Sequence, residues 1–364
     1  MTSIAASAVV TPTGVVSPGV VHVDGDRIAG VEAWAGTAPD RTIVPGYVDL
    51  QVNGHDDVDC WTASGAQWER MDELLLAQGV TGWCPTLVTA PLHSYGAPLE
   101  RIAAAGARPG PRPAIAGVHL EGPFLGSRPG AHNRRHVLEP DLDWLAGLPS
   151  VVRVVTIGVE SPAALDAVRL LAGRGVLVSM GHTAPDAATA AAAADAGVRM
   201  ATHLFNAMGP LHHRDPGVAG IALTDPRVVP GLIADLVHVH PTAVLLAFLA
   251  RRGAGVVLVT DAVAWRAEPV RARGVTREGS DAPRRPDGTI AGSALTMDRA
   301  VANVVGCGVG LVEAVHAAST APAELIGWHD RGRLEAGARA DLVVLDGELR
   351  PVETWVSGTA AWRR

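Results

Sequence analysis

Four acidic or imidazole side chains follow apolar runs along this chain of 364 residues. Glu121 ends the run Val-His-Leu-Glu (118–121), His182 lies in Gly-His-Thr (181–183), His203 follows Ala-Thr (201–202), and Asp261 follows Val-Leu-Val-Thr (257–260). One carboxylate and two imidazoles can bind a divalent metal ion and leave a coordination position open for water. A carboxylate that does not bind the metal can take that water's proton and pass it on. The four residues therefore predict a metal-dependent hydrolase.

Each of these residues also has a simpler interpretation. A single His at a strand end is more often part of a hydrogen-bonded structure than a metal ligand, and an Asp in such a place is a good helix N-cap. The metal site is favoured because the residues follow different strands that would share one cavity. Neutral imidazoles and a carboxylate suit Zn²⁺ or Fe²⁺.

Charge and composition exclude several classes of protein. The formal net charge is −7, so nucleic-acid binding has no general electrostatic support. All 30 basic residues are Arg, which excludes a Schiff-base lysine and a carbamylated lysine that bridges two metals. The cysteines Cys60, Cys84 and Cys307 are widely separated and odd in number, as is typical of reduced thiols in a cytoplasmic protein. No apolar run approaches the ~20 residues that span a bilayer, so we expect no membrane association.

The middle of the chain alternates between strand-like and helix-like segments. Helical patterns at 66–78, 162–174, 187–196 and 242–252 separate apolar runs at 42–50, 80–86, 114–120, 151–158, 175–180, 198–203, 228–235 and 255–260. This alternation predicts an α/β fold, a (β/α)8 TIM-like barrel. Two flavodoxin-like domains are the alternative topology. The barrel is favoured because the candidate ligands follow the carboxyl ends of different strands, where barrel enzymes have their active sites.

The two ends of the chain have a different pattern. Short β segments with Pro, Gly and Asp-Gly turns occupy residues 3–43, and similar segments occur at 340–345 and 351–356. We therefore expect a small β domain formed by 1–43 and 338–364, with the hydrolase barrel at 44–337. The Arg-, Pro- and Gly-rich segment 267–288 is expected to form a long exposed loop or hairpin.

Short motifs between residues 45 and 346 carry a family resemblance. They are Pro-Gly-Tyr-Val-Asp-Leu-Gln-Val-Asn-Gly (45–54), Pro-Thr-Leu-Val-Thr (85–89), His-Leu-Glu-Gly-Pro-Phe (119–124), Gly-Ala-His-Asn (130–133), Gly-His-Thr (181–183), Thr-His-Leu-Phe-Asn-Ala-Met (202–208), His-Arg-Asp-Pro-Gly (213–217), Val-Thr-Asp-Ala (259–262), Asp-Gly-Thr-Ile-Ala-Gly-Ser-Ala-Leu-Thr-Met-Asp (287–298) and the segment 332–346. Together they resemble the N-acetylglucosamine-6-phosphate deacetylases of the amidohydrolase superfamily.

The resemblance implies a barrel with a small β-sandwich, and hydrolysis of an acetylated amino-sugar phosphate to the free amine and acetate. Glu121, His182 and His203 would bind one divalent metal per subunit, with Zn²⁺ preferred over Fe²⁺. Asp261 would transfer the proton. His132 would hydrogen-bond the substrate and help to stabilise the oxyanion.

The resemblance also assigns residues that bind the sugar phosphate. The backbone around Asn206 and Ala207, together with His238 and Arg214, would hold it. Arg suits phosphate because its planar guanidinium can bind two oxygens at once. In relatives the residue that matches Arg214 can come from the partner subunit, so the resemblance implies a homodimer.

Gln51 and Asn53 limit the number of metals. Many amidohydrolases have His-x-His here, which binds a second metal, whereas amides are poor ligands for Zn²⁺. A single metal is therefore expected. The two amides either hydrogen-bond near the metal's water or pack the barrel mouth. Asp57 departs from the family pattern, which usually has a second Gly at that position.

Several functions remain open at this point. The substrate could be N-acetylgalactosamine-6-phosphate, which differs in the orientation of one hydroxyl. Another amidohydrolase reaction, such as cyclic amide hydrolysis or deamination, is a second alternative. A sugar-phosphate sensor without catalysis is the third, although it would need neither a metal-activated water nor a proton-transfer residue. Arg266, Arg271, Arg273 and Arg277 either add positive potential at the substrate entrance or belong to a solvated loop.

Overall fold

The computed structural model describes residues 1–252 and 255–364. The strands are β1 Thr2–Ala6, β2 Ala8–Thr11, β3 Gly14–Val16, β4 Gly19–Asp24, β5 Arg27–Ala33, β6 Thr42–Pro45, β7 Tyr47–Val52, β8 Gly54–His55, β9 Val58–Asp59, β10 Val80–Val88, β11 Ala114–Ile115, β12 Val118–Glu121, β13 Val152–Ile157, β14 Leu177–Met180, β15 Val198–Ala201, β16 Val229–Leu232, β17 Val257–Leu258, β18 Leu342–Leu345, β19 Pro351–Val356 and β20 Thr359–Arg363. The α-helices are α1 Gln67–Leu76, α2 Gly96–Gly106, α3 Leu142–Ala146, α4 Pro162–Gly173, α5 Ala187–Ala196, α6 Gly217–Thr224, α7 Pro241–Arg251, α8 Glu268–Arg271, α9 Met297–Gly306, α10 Leu311–Ala318 and α11 Thr320–Leu325. Short 3-10 helices cover Leu92–Ser94 and Arg134–His136.

Parallel strands form the predicted barrel. Their order is β7, β10, β12, β13, β14, β15, β16 and β17, and every neighbouring pair is parallel. Strands with helices on the outside and side chains filling the inside are apolar on both faces, which is why these runs do not alternate. The first and last strands meet near their carboxyl ends, where the Asp261 amide donates to the Gln51 carbonyl at 2.9 Å. The barrel is therefore nearly closed, with its last contact at the candidate site.

Capping residues start the helices that connect the strands. Helix α4 begins with Pro162 after Ser161, whose hydroxyl accepts from the amide of Ala164. Helix α5 begins after Asp186, whose carboxylate accepts from the amide of Thr189. Both are standard N-caps, and they fix the residue at which each connecting helix begins.

The run predicted as one strand at 42–50 is two strands, so that part of the prediction is wrong. Strand β6 pairs with β18 in a terminal sheet, whereas β7 enters the barrel. Gly46 separates them, and a Cβ atom at this position would lie 2.2 Å from the hydroxyl oxygen of Thr81. The division of the chain at 43/44 stays a prediction, with β6 continuing to Pro45. The predicted run at 114–120 is likewise split, into β11 and β12.

Both ends of the chain form the second structural unit. One sheet has the order β1-β4-β5, and the other has the order β20-β19-β18-β6-β2-β3. A single buried apolar cluster contains residues from both sheets, among them Val21, Ile28, Ile43 and Leu342. Two sheets that share one core are a β-sandwich, as the resemblance implied.

The segment 267–288 is more ordered than an exposed loop. It contains α8 and isolated β-bridges that pair Thr276 with Arg284 and Arg284 with Ile290. Val270 packs in a small apolar cluster with Ala264 and Ala267. The hairpin alternative is thus the better description. Among the described residues, no helix has both the length and the apolar character needed to cross a membrane.

Candidate active site

The carboxyl ends of the barrel strands bring the four predicted residues together. Glu121 is the last residue of β12, while His182, His203 and Asp261 lie in the loops that follow β14, β15 and β17. All four are buried. The loops turn sharply, because His182, His203 and Asp261 have φ angles of +52°, +33° and +48°. Such left-handed backbone is unfavourable for residues other than Gly and often occurs at functional sites.

The polar atoms of Glu121, His182 and His203 form a compact triangle. Glu121 Oε1 lies 3.0 Å from His182 Nε2 and 3.2 Å from His203 Nε2. The two Nε2 atoms are 3.0 Å apart. Tetrahedral ligands at zinc bond lengths of about 2.0–2.1 Å would be about 3.3 Å from one another. The triangle is therefore close to the size that a small divalent cation needs.

The outer hydrogen bonds of the two imidazoles indicate which nitrogen carries a proton. Nδ1 of His182 lies 3.1 Å from the Arg128 carbonyl, and Nδ1 of His203 lies 3.2 Å from the Asn206 carbonyl. A carbonyl only accepts, so both Nδ1 atoms donate. In the neutral rings, both Nε2 atoms then present lone pairs to the Glu121 carboxylate. Three acceptors that face one another need a positive charge between them, and a divalent cation fits this donor set.

The protonation of Glu121 agrees with this arrangement. Burial by itself raises the pKa of the carboxyl, but in the metal-free site an imidazole of His182 or His203 that takes up a proton on Nε2 donates it to Glu121, and these hydrogen bonds outweigh burial and hold the pKa of Glu121 well below its ordinary value. The carboxylate is therefore ionised, as a metal ligand must be.

His132 lies beside the triangle but has the opposite polarity. Its Nδ1 accepts from the backbone amide of Thr89 at 3.4 Å and lies 2.8 Å from the Thr89 hydroxyl. The neutral ring therefore carries its proton on Nε2, which points toward Glu121 at 3.9 Å from Oε2. Burial lowers the pKa of His132 to about 3, and the neighbouring His182 contributes to that shift. His132 is thus a neutral N–H donor beside the triangle.

A second set of three possible ligands includes His132. Ligand atoms of Glu121, His132 and His182 all lie within 4.8 Å of one another. We favour the set with His203 because its Nε2 lies 3.2 Å from the nearer Glu121 oxygen, against 3.9 Å for His132 Nε2, and because both of its imidazoles present lone pairs. His132 would have to exchange its ring proton and lose the hydrogen bond from Thr89 to become a ligand.

Asp261 is held by the two amides that replace the usual His-x-His. Its Oδ1 accepts from Gln51 Nε2 at 3.1 Å and from Asn53 Nδ2 at 2.6 Å. Gln51 Nε2 also donates to Glu121 Oε1 at 3.1 Å, so one amide connects the two carboxylates. The sequence left open whether Gln51 and Asn53 hydrogen-bond at the site or pack the barrel mouth. These contacts favour hydrogen bonding at the site. Burial, followed by the charge of Glu121, raises the pKa of Asp261 to about 7.

A cavity of about 970 Å³ opens above these residues. Asn206, Ala207 and His238 line it, together with Glu121, His132 and Asp261. His238 is oriented by Asp235, whose carboxylate lies 2.7 Å from Nδ1. Arg214 is exposed and does not line the cavity of its own chain. The structure therefore brings together all the predicted site residues except Arg214.

Two arginines of the arginine-rich hairpin line the cavity. Arg273 and Arg285 both line the cavity, and Arg285 Nη1 donates to the Ala131 carbonyl at 2.7 Å. Sequence reasoning named Arg273 only as one of several charges and did not identify Arg285. The density of arginines in that segment was the available signal, and it did not indicate which of them point inward.

Comparison with known proteins gives a consistent result. Residues 42–361 match the Amidohydrolase family. An N-acetylglucosamine-6-phosphate deacetylase from Bos taurus is 38% identical over 347 residues, which cover 88% of this chain and 83% of that protein. An N-acetylgalactosamine-6-phosphate deacetylase from Escherichia coli O157:H7 is 37% identical over 331 residues, which cover 88% of this chain and 87% of that protein.

A solved structure is similar over nearly the whole chain. It is a mutant N-acetyl-D-glucosamine-6-phosphate deacetylase from Mycobacterium smegmatis in complex with N-acetyl-D-glucosamine-6-phosphate. Its TM-score is 0.88 at 34% sequence identity, and the match covers 98% of each chain. The family match extends over most of the chain and the barrel has its candidate ligands at the expected strand ends, so this chain belongs to the amidohydrolase family.

Proposed function

We propose that this chain hydrolyses the acetamide of N-acetylglucosamine-6-phosphate to glucosamine-6-phosphate and acetate. The observation that carries the proposal is the buried triangle of Glu121, His182 and His203 beside Asp261, at the base of a cavity. The names of the relatives support the substrate, since these proteins act on acetylated amino-sugar phosphates.

The site would hold one divalent cation per subunit, with Glu121, His182 and His203 as ligands and Zn²⁺ as the preferred metal. When bound, such an ion lowers the pKa of a coordinated water and polarises a carbonyl group. Fe²⁺ is the alternative metal, because it also accepts imidazole and carboxylate ligands.

Asp261 would move the proton. Its Oδ1 accepts from Gln51 and Asn53, and none of the described residues donates to Oδ2. Oδ2 is therefore available to accept a proton from the water that attacks the acetyl carbon. As the new C–O bond forms and the C–N bond breaks, Asp261 returns that proton to the amine nitrogen.

His132 would stabilise the developing negative charge. Its Nε2–H can donate to the carbonyl oxygen of the acetyl group, and a neutral donor that is already oriented needs no reorganisation during the reaction. Because burial keeps its pKa at about 3, the ring stays neutral over the working range of pH.

The sugar phosphate would be bound at the cavity wall formed by Asn206, Ala207 and His238. Arg214 would complete this site in a partner subunit, which makes the active form a homodimer. The exposure of Arg214 and of its neighbour Leu211 supports this assignment. The three cysteines are free thiols, which is in keeping with a cytoplasmic location.

Acetate release tests the proposal. Protein of known metal content would be assayed with N-acetylglucosamine-6-phosphate, with the unphosphorylated sugar and with N-acetylgalactosamine-6-phosphate. We expect fast release from a 6-phosphate only, with about one metal per chain. No release from any of the three by metal-loaded protein would reject the proposed substrates and favour another amide, such as a hydantoin.

N-acetylgalactosamine-6-phosphate is a specific second candidate. The Escherichia coli relative named for that sugar is almost as similar as the Bos taurus relative named for the gluco epimer. A higher kcat/KM for the galacto epimer would reassign the substrate and leave the reaction unchanged.

A further inference from the structure

Glu160 follows barrel strand β13, and neither the cavity nor the proposed reaction involves it. Its carboxylate nevertheless accepts three hydrogen bonds. The Ser127 amide donates to Oε2 at 2.7 Å, while the Ser127 hydroxyl and the Ala184 amide donate to Oε1 at 2.6 and 2.5 Å. The residue is exposed, yet both oxygens are engaged. Glu160 therefore joins the loop after β12 to the loop after β14.

His182 belongs to the loop after β14 and is hydrogen-bonded to the loop after β12. Ala184 follows His182 by two residues, and Ser127 precedes Arg128, whose carbonyl accepts from His182 Nδ1 at 3.1 Å. In the opposite direction, the His182 carbonyl accepts from the amides of Gly126 at 3.0 Å and Arg128 at 3.3 Å. Segment 126–128 and His182 are thus bonded in both directions, and Glu160 binds Ser127 within that segment and Ala184 two residues after His182.

The close packing around Glu160 depends on glycine. A Cβ atom on Gly126 would lie 2.2 Å from Glu160 Oε2, and one on Gly158 would lie 2.2 Å from the Gly126 nitrogen. His182 also has a φ of +52°, a conformation that persists only where surrounding contacts enforce it. The contacts made by Glu160 are among those that surround this strained residue.

We propose that Glu160 is a positioning residue of the cation site. By holding Ser127 and Ala184, it keeps the Arg128 carbonyl against His182 Nδ1 and so aims His182 Nε2 into the ligand triangle. This inference rests on the proposed role of His182 as a metal ligand. Residues that orient metal ligands in this indirect way typically change metal affinity by about 10–100-fold when they are replaced.

Titration of Zn²⁺ into metal-free protein, without substrate, tests the inference. We expect Glu160→Ala to weaken binding about 10–100-fold. Glu160→Gln should weaken Zn²⁺ binding by a smaller factor, because its amide oxygen can still accept hydrogen bonds as one of the two carboxylate oxygens does. Glu139→Ala is the matched control, since Glu139 also accepts from a serine hydroxyl, that of Ser161 at 3.2 Å, but does not hold segment 126–128. The control should bind Zn²⁺ as tightly as the wild type.

Cobalt substitution and thermal unfolding separate positioning from a general structural role. With saturating Co²⁺, the visible absorption of Glu160→Gln should differ from that of the wild type because the ligand geometry changes. A variant that unfolds at a lower temperature but keeps wild-type affinity and spectrum would overturn the inference. If Glu160→Ala does not fold, Glu160→Gln decides the matter, and wild-type affinity in that variant rejects the inference. Failure of the wild type to bind any cation would instead reject the metal site of the proposed function.

Discussion

At the scale of single residues, the reaction depends on the two oxygens of Asp261 having different environments. Oδ1 accepts from Gln51 and Asn53, whereas Oδ2 is left for the proton. Replacement by Asn keeps an acceptor for the two amides but puts an NH₂ group where the base must be. We expect Asp261→Asn to keep its metal and to lose about 10²–10⁴ in kcat.

Steady-state acetate release and metal analysis of the same preparation would check this expectation. Asp287→Asn is a suitable control, because Asp287 is exposed and, among the described residues, the Thr289 amide is the donor to its carboxylate. Wild-type kcat in Asp261→Asn would remove Asp261 from the mechanism.

The His203 imidazole makes cation binding depend on pH. Burial acts to lower its pKa, but the hydrogen bond and charge of Glu121 outweigh burial, so the pKa lies above its ordinary value of 6.5. Below that raised pKa, a proton occupies the Nε2 lone pair that the cation needs. Cation affinity should therefore fall as the pH is lowered, and binding near neutral pH should release protons.

Calorimetric titrations in buffers of different ionisation enthalpy would count the released protons. His203→Ala should lose both the metal and the pH dependence, while His93→Ala, an exposed residue of the 3-10 helix at Leu92–Ser94, should behave as the wild type. An affinity that is constant between about pH 5.5 and 8 would show that this imidazole is not a ligand.

At the scale of elements, the turn after β12 fixes the position of Glu121. Gly122 has a φ of +85°, and a Cβ atom there would lie 2.3 Å from the Thr89 hydroxyl oxygen. Gly110 is a matched control, because it has a similar φ of +99° and a Cβ atom there would have none of the described residues within 4 Å. Both Ala variants incur the cost of left-handed backbone, about 1–2 kcal/mol.

In addition to this backbone cost, we expect overpacking to lower the unfolding free energy of Gly122→Ala by about 1–3 kcal/mol. We also expect this variant to bind Zn²⁺ more weakly. Gly110→Ala should lose only the backbone contribution and keep its cation affinity. Urea unfolding of the metal-free proteins and Zn²⁺ titration would check both results. Equal stability and affinity in the two variants would show that Thr89 moves aside freely.

Element boundaries show where local pattern is insufficient. The run at 42–50 contains the dipeptide Pro45-Gly46, a turn signal that the single predicted strand did not take into account, and the chain crosses there from the terminal sheet into the barrel. The dipeptide marks the position of the break, whereas the close approach of Gly46 to Thr81, a residue on another strand, is a contact about which a local pattern contains no information. The same limitation applies to the hairpin at 267–288, whose inward-facing Arg273 and Arg285 could not be told from its outward-facing arginines.

At the scale of the whole molecule, the cation site connects loops that follow separate barrel strands. Glu121 ends strand β12, while His182 and His203 lie in the loops after β14 and β15, and an ion bound by all three stabilises only the folded barrel. At a free concentration 100 times the Kd, this linkage contributes about 2.7 kcal/mol. We therefore expect chelation to lower the melting temperature by a few degrees, at roughly 1–2 °C per kcal/mol for a chain of 364 residues.

Scanning calorimetry of the initially metal-free protein over a series of Zn²⁺ concentrations would check this stabilisation. We expect the melting temperature to rise with the logarithm of the free Zn²⁺ concentration. His203→Ala is the control and should show little rise. A melting temperature that does not respond to Zn²⁺ in the wild type would contradict binding to the folded state.

The sequence by itself determined the barrel, the two-ended β domain and the identity of the four central residues. These depend on periodicity, on turn residues and on motifs that are local along the chain. The tertiary structure decided the rest: which imidazole nitrogens face inward, which oxygen of Asp261 is engaged, and how Gln51 joins two carboxylates that are 140 positions apart in the chain. Such details depend on backbone groups such as the Arg128 and Asn206 carbonyls, and every residue has a carbonyl, so only the fold determines which of them lies beside an imidazole.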